Sequence, residues 1–420
     1  MTRYAAIGAF QAWYSGNAGC VLARRLSESG KYTVFLIKKG DVMDSDLGLG
    51  GTTCINGGQY TLGVPAEYNA WSEEGRPGWS YDDLKLTSLN RRPGSVPPQI
   101  SGTELAYRLG QDAIYYRRRW LPPVFLPFVF APNFVTFAAN LHICTRAIAS
   151  KLAFLRQTDG RLLADSVEVQ SIDRRALLVI KARREIVLTC GAFGTPKVLL
   201  LRFRARFDFY STLFRHLRYS QAASDQKSIS KTWEYKPSDT PLELARAWFN
   251  AELHGPEIDR WKGLFGQNIA LMKAESRGRV LLRSRDPTEN PLCDMGYLTH
   301  PKDWAALRAV LRVSVYLGRQ MSANGYPLDE AIVPSALDDD TFNAYMKERV
   351  ETMYHYTSSC RMASEVDPLP GVLDPELRVH GSVSDPQIAG VSILPSAPAV
   401  HPQALVYAVA EKCADMMLND

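Results

Sequence analysis

Two histidines near the end of the chain, His355 and His401, have the means to act on one substrate oxygen. One imidazole can take the proton of a hydroxyl while the other holds the same oxygen by a hydrogen bond, which points to chemistry on alcohols. Imidazole titrates close to neutral pH and so serves as a reversible proton carrier. His355 follows Tyr354, and between the two histidines run Cys360-Arg361-Met362 and the stretch Gly371–Gly381. His401 is followed by Pro402-Gln403-Ala404 and then by the amphipathic run Leu405–Leu418. Proline suits the first helical position, where its missing N–H costs nothing, so a helix is predicted to begin at Pro402. The amides of Gln403, Ala404 and Leu405 would lie unspent at its positive end. The other five histidines, His142, His216, His254, His300 and His380, read as structural residues.

The elements that must position such a pair begin at the other end of the chain. Residues 4–8 read as a short buried strand, Ala18–Ser29 as a helix with Val21, Leu22 and Leu26 at helical spacing, and Tyr32–Lys38 as the next strand. That order predicts a parallel β-α-β unit with a right-handed crossover. Val167–Ile172, Ala176–Lys181 and Glu185–Thr189 read as sheet, and Ala305–Gly318 as an amphipathic helix. No internal repeat is present.

Three stretches of the first hundred residues bear on a ligand. Ser15-Gly16-Asn17-Ala18-Gly19-Cys20 opens the first helix, where glycines let a pyrophosphate approach backbone N–H groups. Gly16 and Gly19 fill the last two places of a G-x-G-x-x-G fingerprint, but the first falls on Tyr14. Gly8 is a displaced candidate, with Ala9–Ser15 inserted after it. A loop that merely starts the helix explains these glycines equally well. A carboxylate should close the second strand to accept hydrogen bonds from a ribose; Lys38-Lys39-Gly40 stands there, and the plain reading is a solvated charge pair. The run Gly48–Tyr60 is more distinctive: Gly50, Gly51, Thr52, Asn56, Gly57 and Gly58 make a loop of exposed amides suited to a phosphate or a flat polar ring.

The 420 residues predict two packed domains, and 46% hydrophobic with 22% charged residues is ordinary globular composition. A net charge of +5 is too small for a nucleic-acid footprint, and the Arg/Phe alternation over Arg202–Phe209 has no basic surroundings to support stacking on bases. Seven cysteines without a paired spacing predict reduced, mostly buried thiols. No Asn-x-Ser/Thr acceptor occurs, and no basic-then-apolar leader precedes the first strand, so a cytoplasmic protein is expected. The apolar run Leu121–Phe137 contains Pro122, Pro123, Pro127 and Pro132, which would break a spanning helix; buried loop is expected over membrane contact.

Several segments together resemble the glucose-methanol-choline family of flavin oxidoreductases. Leu49–Trp71 is similar to its first signature, Pro77–Leu84 to the stretch just after that signature, and Ala182–Leu200 to its second. Gly278-Arg279-Val280, Asp286-Pro287 and Tyr297-Leu298 with Pro301 and Asp303 resemble its substrate-domain sheet region, and the tail its catalytic end. The resemblance covers roughly half the chain and departs from the family in places. A longer segment is expected between Gly40 and Gly48 and another after Leu84; Arg202–Phe207 replaces Ser-Gly-Ile-Gly, and Gly390-Val391-Ser392 replaces Asp-Ala-Ser.

The resemblance implies an α/β fold: a Rossmann-like FAD-binding domain from 1–84, 141–201 and 354–420, and a substrate domain of antiparallel sheet and helices from 85–140 and 202–353. It implies FAD as cofactor and a small-molecule alcohol as substrate, oxidised by hydride transfer to flavin N5. His355 would be the base and His401 the residue that polarises the same oxygen. Oxygen or another acceptor would take the electrons, with no nucleic-acid partner and no metal. Cofactor contacts are implied at Gly16, Asn17, Ala18 and Gly19, at the Gly50–Gly58 loop, and at Ala149, Gly191 and Val391. Pro402, Gln403 and Ala404 would face the N1–O2 edge of the flavin. A non-redox lyase or cyclase using the same histidines, and an inactive remnant with impaired FAD binding, are the alternatives.

Overall fold

The computed structural model describes residues 2–7, 16–40, 61–84, 140–144, 146–158, 162–203, 269–325, 334–364, 366–369, 371–380 and 387–419. The chain divides into two compact units. The first takes its described residues from Met1–Ser220, Gly278–Met295 and His355–Asp420, the second from Gln221–Arg277 and Gly296–Tyr354.

The first unit is built on a parallel sheet. β1 (Thr2–Ile7) pairs in parallel with β2 (Tyr32–Ile37), with Thr2 opposite Tyr32 and Ile7 opposite Ile37. The sequence Tyr-Thr-Val-Phe-Leu-Ile is nearly all β-branched, aromatic or aliphatic, as a strand covered on both faces requires. α1 (Asn17–Glu28) joins the two strands and buries Val21, Leu22, Ala23 and Leu26. The predicted β-α-β unit is therefore present. β2 continues to β3 (Leu141–Cys144) on one side. On the other, β1 pairs with β7 (Ile186–Leu188), and β7 with β10 (Gln387–Ile388), all in parallel. The order β3-β2-β1-β7-β10 makes the chain leave β1 toward both edges, so a topological switch point lies between β1 and β7. In open α/β sheets ligands sit in the crevice beyond the carboxyl ends of the strands at such a point.

α6 (Gln403–Asn419) covers α1 and closes this core. Arg25 of α1 meets two acids one helical turn apart on α6. Its Nη2 bonds Asp415 Oδ1 at 2.8 Å, and its Nε lies 2.9 Å from Glu411 Oε2, off the N–H direction. An antiparallel sheet of β4 (Ala147–Arg156), β5 (Leu162–Ser171) and β6 (Leu177–Lys181) belongs to the same unit, with register shifts between Ala149 and Lys151 and between Ala153 and Phe154. α3 (Gly191–Phe203) follows β7, and the short antiparallel pair β8 (Arg279–Leu281) and β9 (Leu292–Asp294) completes the unit. α2 (Pro65–Glu73) buries Tyr68 and Trp71.

In the second unit α4 (Pro301–Ala323) packs on α5 (Asp339–Arg349) around Leu311, Phe342 and Met346. Asp303, in the first turn of α4, is buried and accepts from the amides of Glu275 and Ser276 at 2.9 and 2.8 Å. His300 caps the same helix, so its role is structural. Six cysteines lie among the described residues as free thiols, four of them buried. No helix among the described residues is long and apolar enough to cross a membrane, and Leu121–Phe137 lies outside them.

Candidate active site

Three glycines with positive φ come between a strand of this sheet and the element that follows it. Gly16 (φ 142°) precedes α1 after β1, Gly191 (φ 72°) starts α3 after β7, and Gly390 (φ 117°) follows β10. Side chains rarely adopt these angles, so the turns at the head of the sheet depend on glycine. At Gly390 the backbone also runs beside α1: a Cβ there would lie 3.4 Å from the Ala18 Cβ.

The first turn of α1 is buried, with Asn17 6%, Ala18 4% and Cys20 6% exposed, and no side chain caps it. A buried, uncapped helix start is a ready site for an anion. Thr195 Oγ1 in α3 and Ser392 Oγ in the turn Val391–Ile393 are buried with no hydrogen-bond partner among the described residues. Polar atoms in that condition suit a polar ligand.

His355 reaches this region through a ladder of backbone bonds. The amides of Ser358, Cys360 and Met362 donate to the carbonyls of Val391, Ser392 and Ile393 at 3.2, 2.8 and 2.8 Å. Ser359 Oγ donates to the Ala192 carbonyl at 2.5 Å, and the rings of Tyr356 and Phe193 lie 4.7 Å apart. His401 arrives on a separate loop at the head of α6. Its Nδ1 lies 3.0 Å from His355 Nε2, with the rings at 86° and their centroids 4.8 Å apart. One nitrogen must donate and the other accept, whichever tautomer is present.

Both imidazoles are partly buried, and burial holds both below the ordinary histidine pKa. His355 is pushed down to about 4 by burial and then by the charge on His401; His401 is lowered by burial. Neutral imidazoles can take a proton, which is what a base requires. Pro402 stands one residue earlier than the sequence suggested: its carbonyl accepts from the Val406 amide, so it caps α6, which begins at Gln403. The first amides of α6, at Gln403, Ala404 and Leu405, are the ones a helix leaves unspent.

Of the residues singled out in the sequence, Gly16–Gly19 open α1, Gly191 opens α3, Val391 follows β10, Pro402–Ala404 open α6, and the two histidines meet from separate loops. Ala149 is buried on β4, two residues past Ala147, whose amide donates to the Lys38 carbonyl at the end of β2. Tyr14 and the loop residues Gly50, Gly51, Thr52, Asn56, Gly57 and Gly58 lie outside the described residues.

The lysines after β2 differ from expectation: they are not solvated. Lys38 is 3% and Lys39 8% exposed, and burial pushes Lys39 down to about 8. Lys197 of α3 is also buried. Its Nζ donates to the carbonyls of Pro287 and Glu289, and burial followed by the charge of Lys39 lowers it to about 7. The sequence reading also missed the α2 segment. Thr61, Glu67 and Trp71 all bond the loop that carries His401; a glutamate in the first turn of a proline-started helix with no capping side chain was the available signal.

Residues 274–410 match the family model described as GMC oxidoreductase. Oxygen-dependent choline dehydrogenase of Brucella anthropi is 25% identical over 527 alignment positions, covering 96% of this chain and 94% of the relative. The enzyme of the same name from Rhizobium rhizogenes is 24% identical with the same coverage. The alignments are longer than the 420 residues of this chain, so stretches of the relatives have no counterpart in it. Among solved structures, pyridoxine 4-oxidase from Mesorbium loti matches with a TM-score of 0.69 at 17% identity over 100% of both chains. A variant of formate oxidase from Aspergillus oryzae RIB40 matches at 0.67 and 18% identity over 100% of this chain and 98% of that one. These structures share the fold.

Proposed function

Because the chain belongs to the glucose-methanol-choline oxidoreductase family, we propose that it is an FAD-dependent enzyme that oxidises the CH–OH group of a small alcohol. The observation that carries this reading is the 3.0 Å contact between His355 Nε2 and His401 Nδ1 at the head of α6. The described residues suit the cofactor at most points. The uncapped start of α1 from Gly16 to Gly19 would hold its pyrophosphate, with Gly191 after β7 and Val391 after β10 as further contacts. They suit it less well at the end of β2, where Lys38 can only donate to a ribose.

When bound, the flavin supplies the hydride acceptor for the carbinol carbon. The chain supplies proton handling and charge. An alcohol oxygen entering between the two rings replaces their mutual hydrogen bond. Its proton passes to His355 Nε2, and the oxygen accepts a hydrogen bond from His401. The first amides of α6, at Gln403, Ala404 and Leu405, favour negative charge in front of them. The named relatives are dehydrogenases and oxidases, which favours redox chemistry over a lyase or cyclase using the same histidines.

The test starts from the visible spectrum of the purified protein, which should be that of an oxidised flavin. Anaerobic addition of choline, pyridoxine, an aryl alcohol and formate in turn should bleach it with at least one of the alcohols, and oxygen is the first acceptor to try for reoxidation. A colourless protein that stays colourless with added FAD overturns the reading. His355→Ala should keep the flavin and slow bleaching by about 10²- to 10⁴-fold, the usual contribution of a positioned base; unchanged bleaching removes His355 from that role.

A further inference from the structure

The loop that presents His401 has the sequence Pro395-Ser396-Ala397-Pro398-Ala399-Val400-His401-Pro402. Three prolines remove three amide donors, so the loop cannot join a backbone ladder and has few ways to be held. The Val400 amide is spent inside the loop, on the Pro398 carbonyl at 2.8 Å. From outside, Arg361 Nε donates to the Pro395 carbonyl at 3.1 Å, and three further bonds come from one segment, Thr61–Trp71. The Ala399 amide donates to Glu67 Oε2 at 2.8 Å, the His401 amide to Thr61 Oγ1 at 3.2 Å, and Trp71 Nε1 donates to Ser396 Oγ at 3.0 Å.

Glu67 is the strongest of these because its acceptor is ionised. It occupies the third position of α2, where a glutamate commonly folds back on the cap residue of its own helix. Here the cap is Val64, with no side-chain bond, and a Glu67 oxygen reaches across to the tail. His355, by contrast, is fixed through residues 358–362 and the turn 391–393, with no part in this contact. The two segments share one bond, from Arg361 Nε to the Pro395 carbonyl at 3.1 Å, while the residues next to His401 are tied to Thr61 and Glu67.

We propose that Glu67, seconded by Thr61, is a positioning residue for the histidine pair: it holds the proline-rich loop so that His401 Nδ1 stays against His355 Nε2. The proposal rests on the reading of that pair as the reactive centre. A glutamate that merely caps α2 would set helix stability without altering the pair. One that acted by charge would favour imidazolium, so its removal would lower both histidine pKa values. Loss of positioning predicts the opposite sign. If His401 drifts away, both causes that lower His355 weaken, its burial in the pair and the neighbouring charge of His401, and its pKa rises.

The experiment is an NMR titration of the full chain labelled with ¹³C-histidine, comparing wild type with Glu67→Gln, Glu67→Ala, Thr61→Ser and Thr61→Val. It reads the pair without flavin or substrate, so it decides the proposal even if no alcohol is oxidised. In Glu67→Ala and Thr61→Val the His355 resonance should titrate about one unit higher than in wild type. In Glu67→Gln and Thr61→Ser, which keep an acceptor oxygen, it should stay near the wild-type value. Unmoved titrations in both Ala and Val variants overturn the proposal, as does an equal downward shift in Glu67→Gln and Glu67→Ala. Should Glu67→Ala not fold, the Thr61 pair decides alone.

Discussion

A half-buried imidazole facing a second imidazole resists protonation, so His355, held near 4, is neutral at pH values where a free histidine is half-charged. Between its ordinary 6.5 and about 4 the unfolded chain binds a proton that the folded chain refuses. Folding stability therefore falls as pH drops through that window and is fully kept above it. Denaturant titrations of wild type and His355→Ala should show their stability difference moving against the wild type from pH 6.5 to 4, with no such trend above pH 7. Lys38 raises a second question at this scale. It sits buried where the resemblance calls for a carboxylate, and a lysine cannot accept from ribose hydroxyls. Lys38→Glu is expected to tighten FAD binding to the apo protein by about tenfold or more, the worth of one hydrogen bond to a charged acceptor; Lys38→Ala should bring no such gain. Reconstitution followed by flavin fluorescence measures both.

At the scale of elements, the contact between α1 and α6 carries the core of the first unit, and Arg25 is its polar clasp. Arg25→Met takes away the cation that lies 2.9 Å from Glu411, which is 6% exposed. That should cost about 2 kcal/mol, read as a lower denaturant midpoint, and Glu411→Gln in the same chain should recover part of it. α1 and α6 were legible in the sequence because each has a long apolar stripe at helical spacing, and β2 because Val34–Ile37 is an unbroken apolar run. α2 was not, since only Tyr68 and Trp71 of its nine residues are buried, too few for a period to register. β4 escaped for a different reason: Ala-Ile-Ala-Ser-Lys-Leu-Ala-Phe-Leu-Arg carries two register shifts that break the alternation a strand would show. The histidines could be singled out by their neighbours in sequence. The residue that steadies one of them could not, because Glu67 and Ala399 are 332 positions apart and only the fold joins them.

For the molecule as a whole, one sheet is assembled from both ends of the chain. β1 lies between β2 and β7, and β7 is bordered by a two-residue strand that begins at Gln387. The helix that covers α1 is the last of the described residues. At synthesis rates of about 5 to 20 residues per second, roughly 20 to 80 s separate the emergence of the first strand from that of the last helix. Through that interval Val21, Leu22 and Leu26 have no α6 to rest on, and the ribosome holds back the segment that would cover them. β1 therefore gains its neighbour β7 and its cover α6 only after the long stretch between them is made, and the apolar face of α1 stays open through that interval.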